Sequence, residues 1–291
     1  MKPRIFGMNP RVFRHKLLCM ILGLIVFLVV MAPIVWMFFT SVMTAKDLVA
    51  HPLNLIPRNV TFYRYDQIFN SGNLTDASYV FRKALLNSTI VAICVTVLSL
   101  VIGTTAAYSF ARLRFAGRNK LILVTLFTYM LPPVALVIPM YKLFSSFGIL
   151  DSKFGLVVLY LSFIIPFIIW TMQGFFSSIS KSFEEAAEID GASRMQTFLL
   201  IFAPMARPGA IATGILSFLM AWDEFFYSLI FTSSLNAKTI TVAIAEFNGK
   251  FTIDYGMISA AGIICSLLPV IITLAFQKYI VIGMTSGGVK E

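Results

Sequence analysis

Six long stretches with few or no charged residues dominate the chain, and each is long enough to cross a membrane as a helix. A hydrocarbon core about 30 Å thick needs about 20 mainly apolar residues in helical form. The stretches lie at residues 17–45, 84–111, 121–141, 154–180, 208–231 and 255–277. Asp223 and Glu224 interrupt the fifth, while Pro132, Pro133 and Pro139 are expected to break the third helix. The pattern predicts an all-α membrane protein with six transmembrane helices.

Composition supports a membrane protein and argues against a soluble one. Hydrophobic residues make up 58% of the 291 residues and charged residues only 12%, whereas an average soluble domain carries about 25% charged residues. The net charge of +10 comes from Lys and Arg in loops between the apolar stretches. No basic run alternates with aromatic residues in a polar context, so we expect membrane lipid around the chain and no nucleic-acid partner.

The distribution of basic residues predicts the orientation. Short loops enriched in Lys and Arg stay on the cytoplasmic side, and both the segment 1–16 and the loop 112–120 are enriched. Both termini and the loops 112–120 and 181–207 are therefore expected in the cytoplasm, while loops 46–83, 142–153 and 232–254 face outward. The predicted divisions are a cytoplasmic segment at 1–16, a transmembrane domain at 17–280 and a cytoplasmic tail at 281–291.

The cytoplasmic segment 180–206, between the fourth and fifth spans, has strong local signals for two short helices. Ser182 and Glu185 match a capping box, which starts a helix. Gly191 can adopt the left-handed conformation that ends it. Ser193 and Gln196 match a second capping box. The segment is therefore predicted to form a helix–turn–helix outside the membrane, which we call the coupling segment.

Side-chain spacing indicates that the coupling segment docks on a protein. In an α-helix the spacing of its second half would put Met195, Phe198, Leu199 and Phe202 on one side, and Pro204 and Pro208 would end this helix. The first half carries three Glu, the small residues Ala186 and Ala187, and no basic residue after Lys181. A helix resting on a lipid surface would instead carry Lys and Arg on its polar face.

The same segment resembles the EAA motif of ATP-binding-cassette (ABC) importer permeases. The resemblance rests on Glu185-Ala186-Ala187, then Asp190-Gly191-Ala192, then Phe198, Ile201 and Pro204. It implies the type I ABC importer permease fold and a coupling helix seated in a cleft of an ATPase subunit. The residues expected to couple are Glu184, Glu185, Ala186, Ala187, Asp190, Gly191, Ala192, Phe198 and Pro204.

Further parts of the chain are similar to permeases of the carbohydrate-uptake type. These are residues 106–115, Pro132-Pro133 with Ile138-Pro139, and 222–225. Residues 283–290 are similar to the tail of the smaller permease subunit of maltose-type importers. That similarity implies a tail that reaches into the ATPase dimer through Thr285, Ser286, Gly287, Gly288 and Lys290.

The resemblance also implies a set of partners. They are a second homologous permease subunit, two ATPase subunits, an extracellular or periplasmic solute-binding protein and a sugar, all at the inner (cytoplasmic) membrane of a bacterium. The chain has no GxxxxGK[ST] motif, so ATP and Mg are expected on the partner subunits and the chain is not expected to be an enzyme. With two histidines in the chain, we expect no metal site and no cofactor of its own.

Charged residues inside the fifth span are the candidate substrate contacts. An ionisable residue at membrane depth is costly and is a functional candidate by default. The candidate pathway residues are Trp222, Asp223, Glu224, Tyr227, Pro132 and Pro133. Aromatic faces with carboxylates suit a sugar, but the same acids could instead lie near the outer interface and hold helix packing.

Three other functions fit parts of the sequence. An importer for another polar solute, such as a glycerol phosphate ester, would be favoured by a deep Arg or Lys, which the predicted spans lack. A proton-coupled secondary transporter could use Asp223 or Glu224 as its proton carrier. A membrane receptor or scaffold would show no dependence of solute uptake on this chain.

Overall fold

The computed structural model describes residues 10–50, 55–70, 77–247 and 254–286. The regular secondary structure of this part is helical, apart from an isolated bridge between Met43 and Val60. The first helices are α1 (Pro10–Val42), α2 (Ala45–Leu48), α3 (Tyr63–Asn70), α4 (Ala77–Arg112), α5 (Arg118–Met130), α6 (Pro133–Ser146) and α7 (Lys153–Ser178). They are followed by α8 (Ser182–Ile189), α9 (Arg194–Thr197), a π-helix (Phe198–Phe202), α10 (Ala203–Met205), α11 (Arg207–Trp222), α12 (Phe226–Phe231), α13 (Ile240–Ala245) and α14 (Tyr255–Ser286). The all-α fold class is confirmed.

Long apolar helices account for most of the predicted spans. Within the described residues, 4 helices are long and apolar enough to cross a membrane alone: Phe13–Val42, Ser78–Arg112, Lys153–Ser178 and Tyr255–Tyr279. Two bent helix pairs, Arg118–Met130 with Pro133–Ser146 and Arg194–Met205 with Arg207–Trp222, raise the number to 6 if each pair is one span. The chain is a multi-pass membrane protein.

The predicted break in the third span lies between α5 and α6. The axes of these helices differ by 97°. Leu131 and Pro132 have extended backbone, with ψ of 130° and 128°, because a proline disfavours the helical conformation of the residue before it. Pro139, in contrast, lies inside α6, so the expectation that it also breaks the span is wrong.

The fifth span is interrupted where its two acids stand. Helix α11 ends at Trp222 and α12 begins at Phe226, with Asp223 and Glu224 between them. The chain also turns sharply before α11, whose axis differs by 76° from that of Arg194–Met205. Pro208 lies in the first turn of α11, where its missing N–H leaves no helical hydrogen bond unmade.

The chain divides into two compact units. One contains the described residues within Met1–Asn70 and Phe247–Ile264, and the other those within Ser71–Glu246 and Cys265–Glu291. In the first unit, buried Arg64 of α3 donates to the backbone carbonyls of Ser41 and Met43, at 3.3 and 2.5 Å. These bonds join α3 to the end of α1.

The core of the second unit is formed by α4, α7 and α11. Gly103 of α4 permits the close approach of α7, since a Cβ at this position would lie 2.6 Å from Cγ2 of Ile168. Between α4 and α11 the buried hydroxyls of Ser99 and Ser217 are 3.0 Å apart. Small residues and hydroxyl pairs of this kind are typical of helix contacts within membranes.

Candidate functional site

The coupling segment forms the predicted helix–turn–helix, with α8 and α9 as its short helices. Gly191 has a φ of 74° and stands directly after the C-cap residue of α8. The N–H of Ala192 donates to the carbonyl of Ala187 at 2.9 Å, and the N–H of Gly191 donates to that of Glu188 at 3.1 Å. This pair of bonds is a Schellman motif, which satisfies carbonyls that the helix end leaves free.

Of the two predicted capping boxes, one is present. Ser193 Oγ accepts from the N–H of Gln196 at 3.4 Å, and Gln196 Oε1 accepts from the N–H of Ser193 at 2.8 Å. The predicted box at Ser182 and Glu185 is wrong, because Ser182 is already helical and its hydroxyl lies 2.8 Å from that of Ser180. The N-cap residue of the first helix, Lys181, makes no side-chain cap, and the N–H of Ser182 donates to Ser180 Oγ at 3.3 Å.

Burial divides the predicted coupling residues into an inner and an outer set. Ala187 and Phe198 are buried, and Glu184 and Ala192 are half-buried. The exposed members are Glu185, Ala186, Asp190, Gly191 and Pro204. The adjacent alanines thus face different surroundings, and the outer side also presents Ile189, which is 86% exposed.

The second half of the coupling segment does not have the single apolar face that α-helical spacing predicted. Phe198 and Phe202 are buried, but Met195 and Leu199 are exposed. The reason is the π-helix at Phe198–Phe202, whose wider turn changes which side chains share a face. Pro204 also does not end the helix, since α10 runs through it to Met205.

Arg112, the last residue of α4, connects the coupling segment to the membrane helices. Its Nη2 donates to the carbonyl of Phe176 at 2.5 Å and also to that of Ile179, at the end of α7. Its Nη1 lies 4.0 Å from Oε2 of Glu184 in α8. The guanidinium also lies over the ring of Phe202, 4.7 Å from its centroid. No local sequence pattern predicts these contacts, because the partners of Arg112 in α7 lie more than sixty positions away along the chain.

An aromatic cluster lies beside Arg112. The Tyr108 ring of α4 lies 5.7 Å from Phe176 of α7, measured between centroids. It also lies 4.9 Å from Phe198 and 5.3 Å from Phe202 of the π-helix. Tilted and edge-to-face geometries of this kind are favourable for aromatic rings. The coupling segment is thus held to α4 and α7 by apolar as well as polar contacts.

A charged cavity of about 840 Å³ adjoins these contacts. Its lining combines residues from the end of α4, the loop after it, the first residue of α5 and the coupling segment. The charged members are Arg112, Arg114, Arg118, Lys181, Glu184, Glu185, Glu188 and Arg194. The coupling segment is therefore bordered by polar space on one side and fixed to the helix ends on the other.

The predicted tail residues fall at the edge of the described chain. Helix α14 continues to Ser286, so Thr285 and Ser286 are helical and the predicted tail boundary at 281 lies inside a helix. The segment 281–286 contains no proline and a single glycine, Gly283. The local sequence therefore gives little reason for the helix to end at 281. Gly287, Gly288 and Lys290 lie outside the described residues.

A second cavity, of about 590 Å³, lies between the broken third span, α7 and the interrupted fifth span. It brings together three of the predicted pathway residues, Pro133, Glu224 and Tyr227. The other lining residues are Thr128, Tyr129, Leu131, Leu136, Met140, Ser162, Phe163, Met220 and Phe226. The rings of Phe163 and Tyr227 stack with centroids 5.9 Å apart. The sequence did not predict the aromatic and hydroxyl-bearing residues of this lining, because no local motif marks them.

The remaining predicted pathway residues do not line this cavity. Trp222 is buried, and its ring stacks on Phe218 with centroids 5.7 Å apart. Asp223 is exposed, and Pro132 supports the bend between α5 and α6. Adjacency in the sequence therefore does not predict which of these side chains line the same cavity.

Glu224 has a structural role at the interruption of the fifth span. Its Oε1 accepts from the N–H of Tyr227 at 2.8 Å, and its Oε2 accepts from the N–H of Ser228 at 3.0 Å. Tyr160 of α7 donates its hydroxyl to the same Oε2 at 2.7 Å. The carboxylate thus satisfies free N–H groups at the start of α12 and joins α12 to α7. Of the two interpretations left open by the sequence, this geometry favours helix packing for Glu224.

The described part of the chain contains no candidate metal-binding cluster. No group of three or more His, Cys, Asp or Glu side chains is close enough together there to hold a metal ion. The two sites that the structure defines are therefore the coupling segment with its anchors and the cavity beside Glu224.

Comparison with known proteins gives a family for this arrangement. A family model described as a binding-protein-dependent transport system inner membrane component matches residues 99–285. The trehalose transport system permease protein SugB of Mycobacterium tuberculosis is 37% identical over 263 residues, 89% of this chain and 92% of that protein. The trehalose/maltose transport system permease protein MalG of Thermococcus litoralis is 33% identical over 277 residues, 94% of this chain and 97% of that protein.

A solved structure has the same fold. It is a chain in the crystal structure of a bacterial ABC transporter involved in the import of the acidic polysaccharide alginate. The TM-score is 0.75 at 24% identity, and the match covers 94% of this chain and 98% of that chain. With the type I importer permease fold and a family match over most of its length, the chain belongs to the family of binding-protein-dependent transport system inner membrane components.

Proposed function

We propose that this chain is one of two permease subunits of an ATP-driven importer that takes up a sugar. The observation that carries the proposal is the coupling segment, which is pre-formed, exposed on one side and fixed to α4 and α7 on the other. Its exposed side combines Glu185 and Asp190 with the apolar Ile189. A mixed surface of this kind suits a cleft in a protein partner better than an anionic lipid surface.

The proposed mechanism is alternating access driven by partner subunits. As a permease, the chain is not an enzyme, and two ATPase subunits bind ATP and Mg and hydrolyse the ATP. When the ATPase subunits close, they move the coupling segments of this chain and of a second homologous permease as rigid bodies. The cavity between the two permeases then switches from facing the cytoplasm to facing outward. The tail residues Thr285, Ser286, Gly287, Gly288 and Lys290 reach into the ATPase dimer.

The chemistry of the cavity beside Glu224 supports a sugar as substrate. Rings of Tyr129, Phe163 and Phe226 can pack on the apolar face of a sugar, and Thr128 and Ser162 offer hydroxyls. Relatives named for trehalose and for trehalose and maltose support the same class. A binding protein delivers the sugar at the outer surface, and both termini of the chain lie in the cytoplasm of the bacterial cell.

Two rival functions are less well supported by the geometry. Within the described residues, the lining of this cavity includes no Lys or Arg to bind a glycerol phosphate ester. A proton-coupled transporter needs a carboxylate that is free to exchange protons with water. Glu224 is instead occupied by three hydrogen-bond donors, and Asp223 lies outside the cavity lining.

Uptake by an assembled complex tests the proposal. The tagged chain is purified from its own membranes, co-purifying proteins are identified by mass spectrometry, and the complex is reconstituted in vesicles with its binding protein. We expect an ATPase subunit in the complex and uptake of labelled trehalose or maltose that requires ATP. Uptake that stops with a protonophore and continues without ATP would establish the proton-coupled rival.

Gly191→Pro provides a sharper test of the coupling segment. Proline cannot adopt the φ of 74°, and it has no N–H to donate to Glu188. The variant should insert into the membrane normally but lose most ATP-dependent uptake, and Glu185→Lys should do the same by reversing an exposed charge. The matched control is Gly148→Pro, also at a left-handed glycine but in the loop predicted to face outward. Normal uptake by both coupling variants would contradict the proposal.

A further inference from the structure

We propose that Arg112 is a positioning residue for transport, through which movement of the coupling segment reaches the ends of α4 and α7. This inference rests on the proposed function, because it assigns the mechanical connection that an ATP-driven importer needs. Arg112 belongs to α4, and its guanidinium contacts three other elements: the end of α7, helix α8 and the π-helix.

The contact with α7 is the most strongly held of the three. The last carbonyls of a helix lack partners within the helix and carry partial negative charge. Arg112 donates to the carbonyls of Phe176 and Ile179, and the Phe176 carbonyl also accepts from the N–H of Ile179 at 3.4 Å. Arg112 thus places a positive charge at the negative end of α7. Its side chain is only 4% exposed, so water does not readily replace these bonds. The end of α4 and the end of α7 are therefore fixed to each other.

The contacts with the coupling segment lie on both sides of its turn. Glu184 stands in the first turn of α8, before Gly191, and Phe202 stands in the π-helix after it. The carboxylate is 4.0 Å from Nη1, and the ring centroid is 4.7 Å from the guanidinium carbon. Because one rigid, planar group touches both halves, the segment cannot shift without displacing Arg112 or breaking these contacts.

The geometry of these contacts requires arginine and not only a positive charge. A guanidinium presents five N–H donors in a fixed plane and stacks on an aromatic face, whereas lysine offers a mobile point charge. Lysine at 112 could keep attraction to Glu184 but could not hold two carbonyls and cover the Phe202 ring together. Arg112→Lys keeps the positive charge but loses the planar geometry, so it shows which of the two properties transport requires.

Tyr108 is the apolar counterpart one turn earlier in α4. Its ring contacts Phe176 of α7 and both buried aromatic residues of the π-helix. These contacts keep the coupling segment attached when Arg112 is changed, so a variant of Arg112 should still fold and assemble. Such a variant should lose the fixed position of the coupling segment relative to the ends of α4 and α7.

The experiment measures transport per ATP hydrolysed in the complete reconstituted complex. The variants are Arg112→Gln and Arg112→Lys. The matched control is Arg207→Gln, an exposed arginine of the same unit that does not line the charged cavity. Each complex is scored for recovered ATPase subunit, ATP hydrolysis and uptake of labelled trehalose or maltose. A residue with only a role in folding would change the amount of complex but not the ratio of uptake to hydrolysis.

We expect Arg112→Gln to assemble and hydrolyse ATP, with uptake per ATP about tenfold lower, as for the loss of a typical coupling between sites. Arg112→Lys should fall between this variant and the unchanged chain, and Arg207→Gln should match the unchanged chain. An unchanged ratio in Arg112→Gln overturns the inference. If that variant does not assemble, Arg112→Lys decides: a lower ratio supports the inference and an unchanged ratio overturns it.

The same measurements distinguish failure of this inference from failure of the proposed function. Loss of uptake in Gly191→Pro together with a normal ratio in Arg112→Gln leaves the importer function supported and removes only the role of Arg112. Absence of any ATPase subunit from the complex of the unchanged chain removes the importer function itself, and the inference with it.

Discussion

Two arginines with buried side chains, Arg64 in the first unit and Arg112 in the second, each connect the end of one helix to a carboxylate at the start of another. Each donates to two backbone carbonyls at the end of a long helix, α1 for Arg64 and α7 for Arg112. Each also faces a carboxylate near the start of another helix, at 3.4 Å for Asp254 and 4.0 Å for Glu184. Both therefore place a positive charge at the negative end of one helix and pair with the carboxylate at the start of another.

The difference lies in what each carboxylate belongs to. Asp254 accepts from the N–H of Met257 at 3.0 Å, so the partner of Arg64 is itself fixed as the cap of α14. Glu184 belongs to an exposed segment that presents Glu185 and Ile189 outward. The same residue type thus makes a static anchor in one unit, and in the other an anchor on a segment suited to be moved by a partner.

Arg64→Ala should have the largest effect on stability. The change leaves the carbonyls of Ser41 and Met43 without their charged donor and Asp254 without its ion pair. Hydrogen bonds to a buried charge contribute enough that we expect a loss of about 3 kcal/mol. The measurement is thermal unfolding of the purified chain, with Arg58→Ala, an exposed arginine shortly before α3, as control.

This change also tests the contrast between the two arginines. The complex that still forms with Arg64→Ala should keep its uptake per ATP, unlike Arg112→Gln. A lower ratio with unchanged unfolding temperature would mean that Arg64 acts in transport and is not a static anchor.

Glu224→Ala should have an intermediate effect and extends the comparison to a carboxylate. Glu224 accepts from two N–H groups at the start of α12 and from the Tyr160 hydroxyl. Loss of a cap and of a contact between helices should cost about 2 kcal/mol in thermal unfolding. Glu224→Gln keeps one acceptor oxygen and should lose less.

Uptake by Glu224→Gln tests whether Glu224 has a structural role or carries protons. The amide cannot bind and release a proton as a carboxylate does, so a proton-coupled transporter would lose its uptake. We expect ATP-dependent uptake to remain within a small factor of the unchanged chain. Complete loss of uptake in a complex of normal stability would contradict the structural role of Glu224.

Features set by neighbouring residues were predictable from the sequence. The six apolar stretches, the bend at Pro132 and Pro133, the left-handed Gly191 and the capping box at Ser193 all follow from chemistry within a few residues. Such rules work because prolines, glycines and caps act on their own backbone. The coupling segment can therefore be predicted without knowledge of any tertiary contact.

Features that depend on distant partners were not predictable. Arg112 meets Phe176 and Ile179 across more than sixty positions of the chain, and Glu224 meets Tyr160 across a similar separation. The exposed positions of Met195 and Leu199 follow from a π-helix that no local pattern indicated. The capping box predicted at Ser182 does not form, because the helix begins at Ser182 itself and its N–H donates to Ser180 Oγ.

Asp151 is a further static anchor and should show the smallest effect, because its carboxylate is partly exposed. Its Oδ1 accepts from the N–H groups of Ser233 and Ser234 at 2.9 and 3.0 Å, and its own N–H donates to Phe231. Partial burial acts to raise the pKa of Asp151, but hydrogen bonds from Ser234 and Ser233 outweigh it and hold the pKa below its usual value.

A lowered pKa fixes the sign of the pH dependence. The stability that Asp151 contributes is present above the usual pKa of an aspartate and is lost as the pH falls through the lower pKa of the folded chain. Protection of the Ser233 and Ser234 amides from hydrogen exchange, measured by mass spectrometry, should therefore decrease at acid pH. Asp151→Asn keeps the acceptor oxygen, tolerates the φ of 51° and does not titrate. Relative to this variant, the unchanged chain should lose protection only below the usual aspartate range, and an identical pH profile for the two would show that the carboxylate does not anchor this loop.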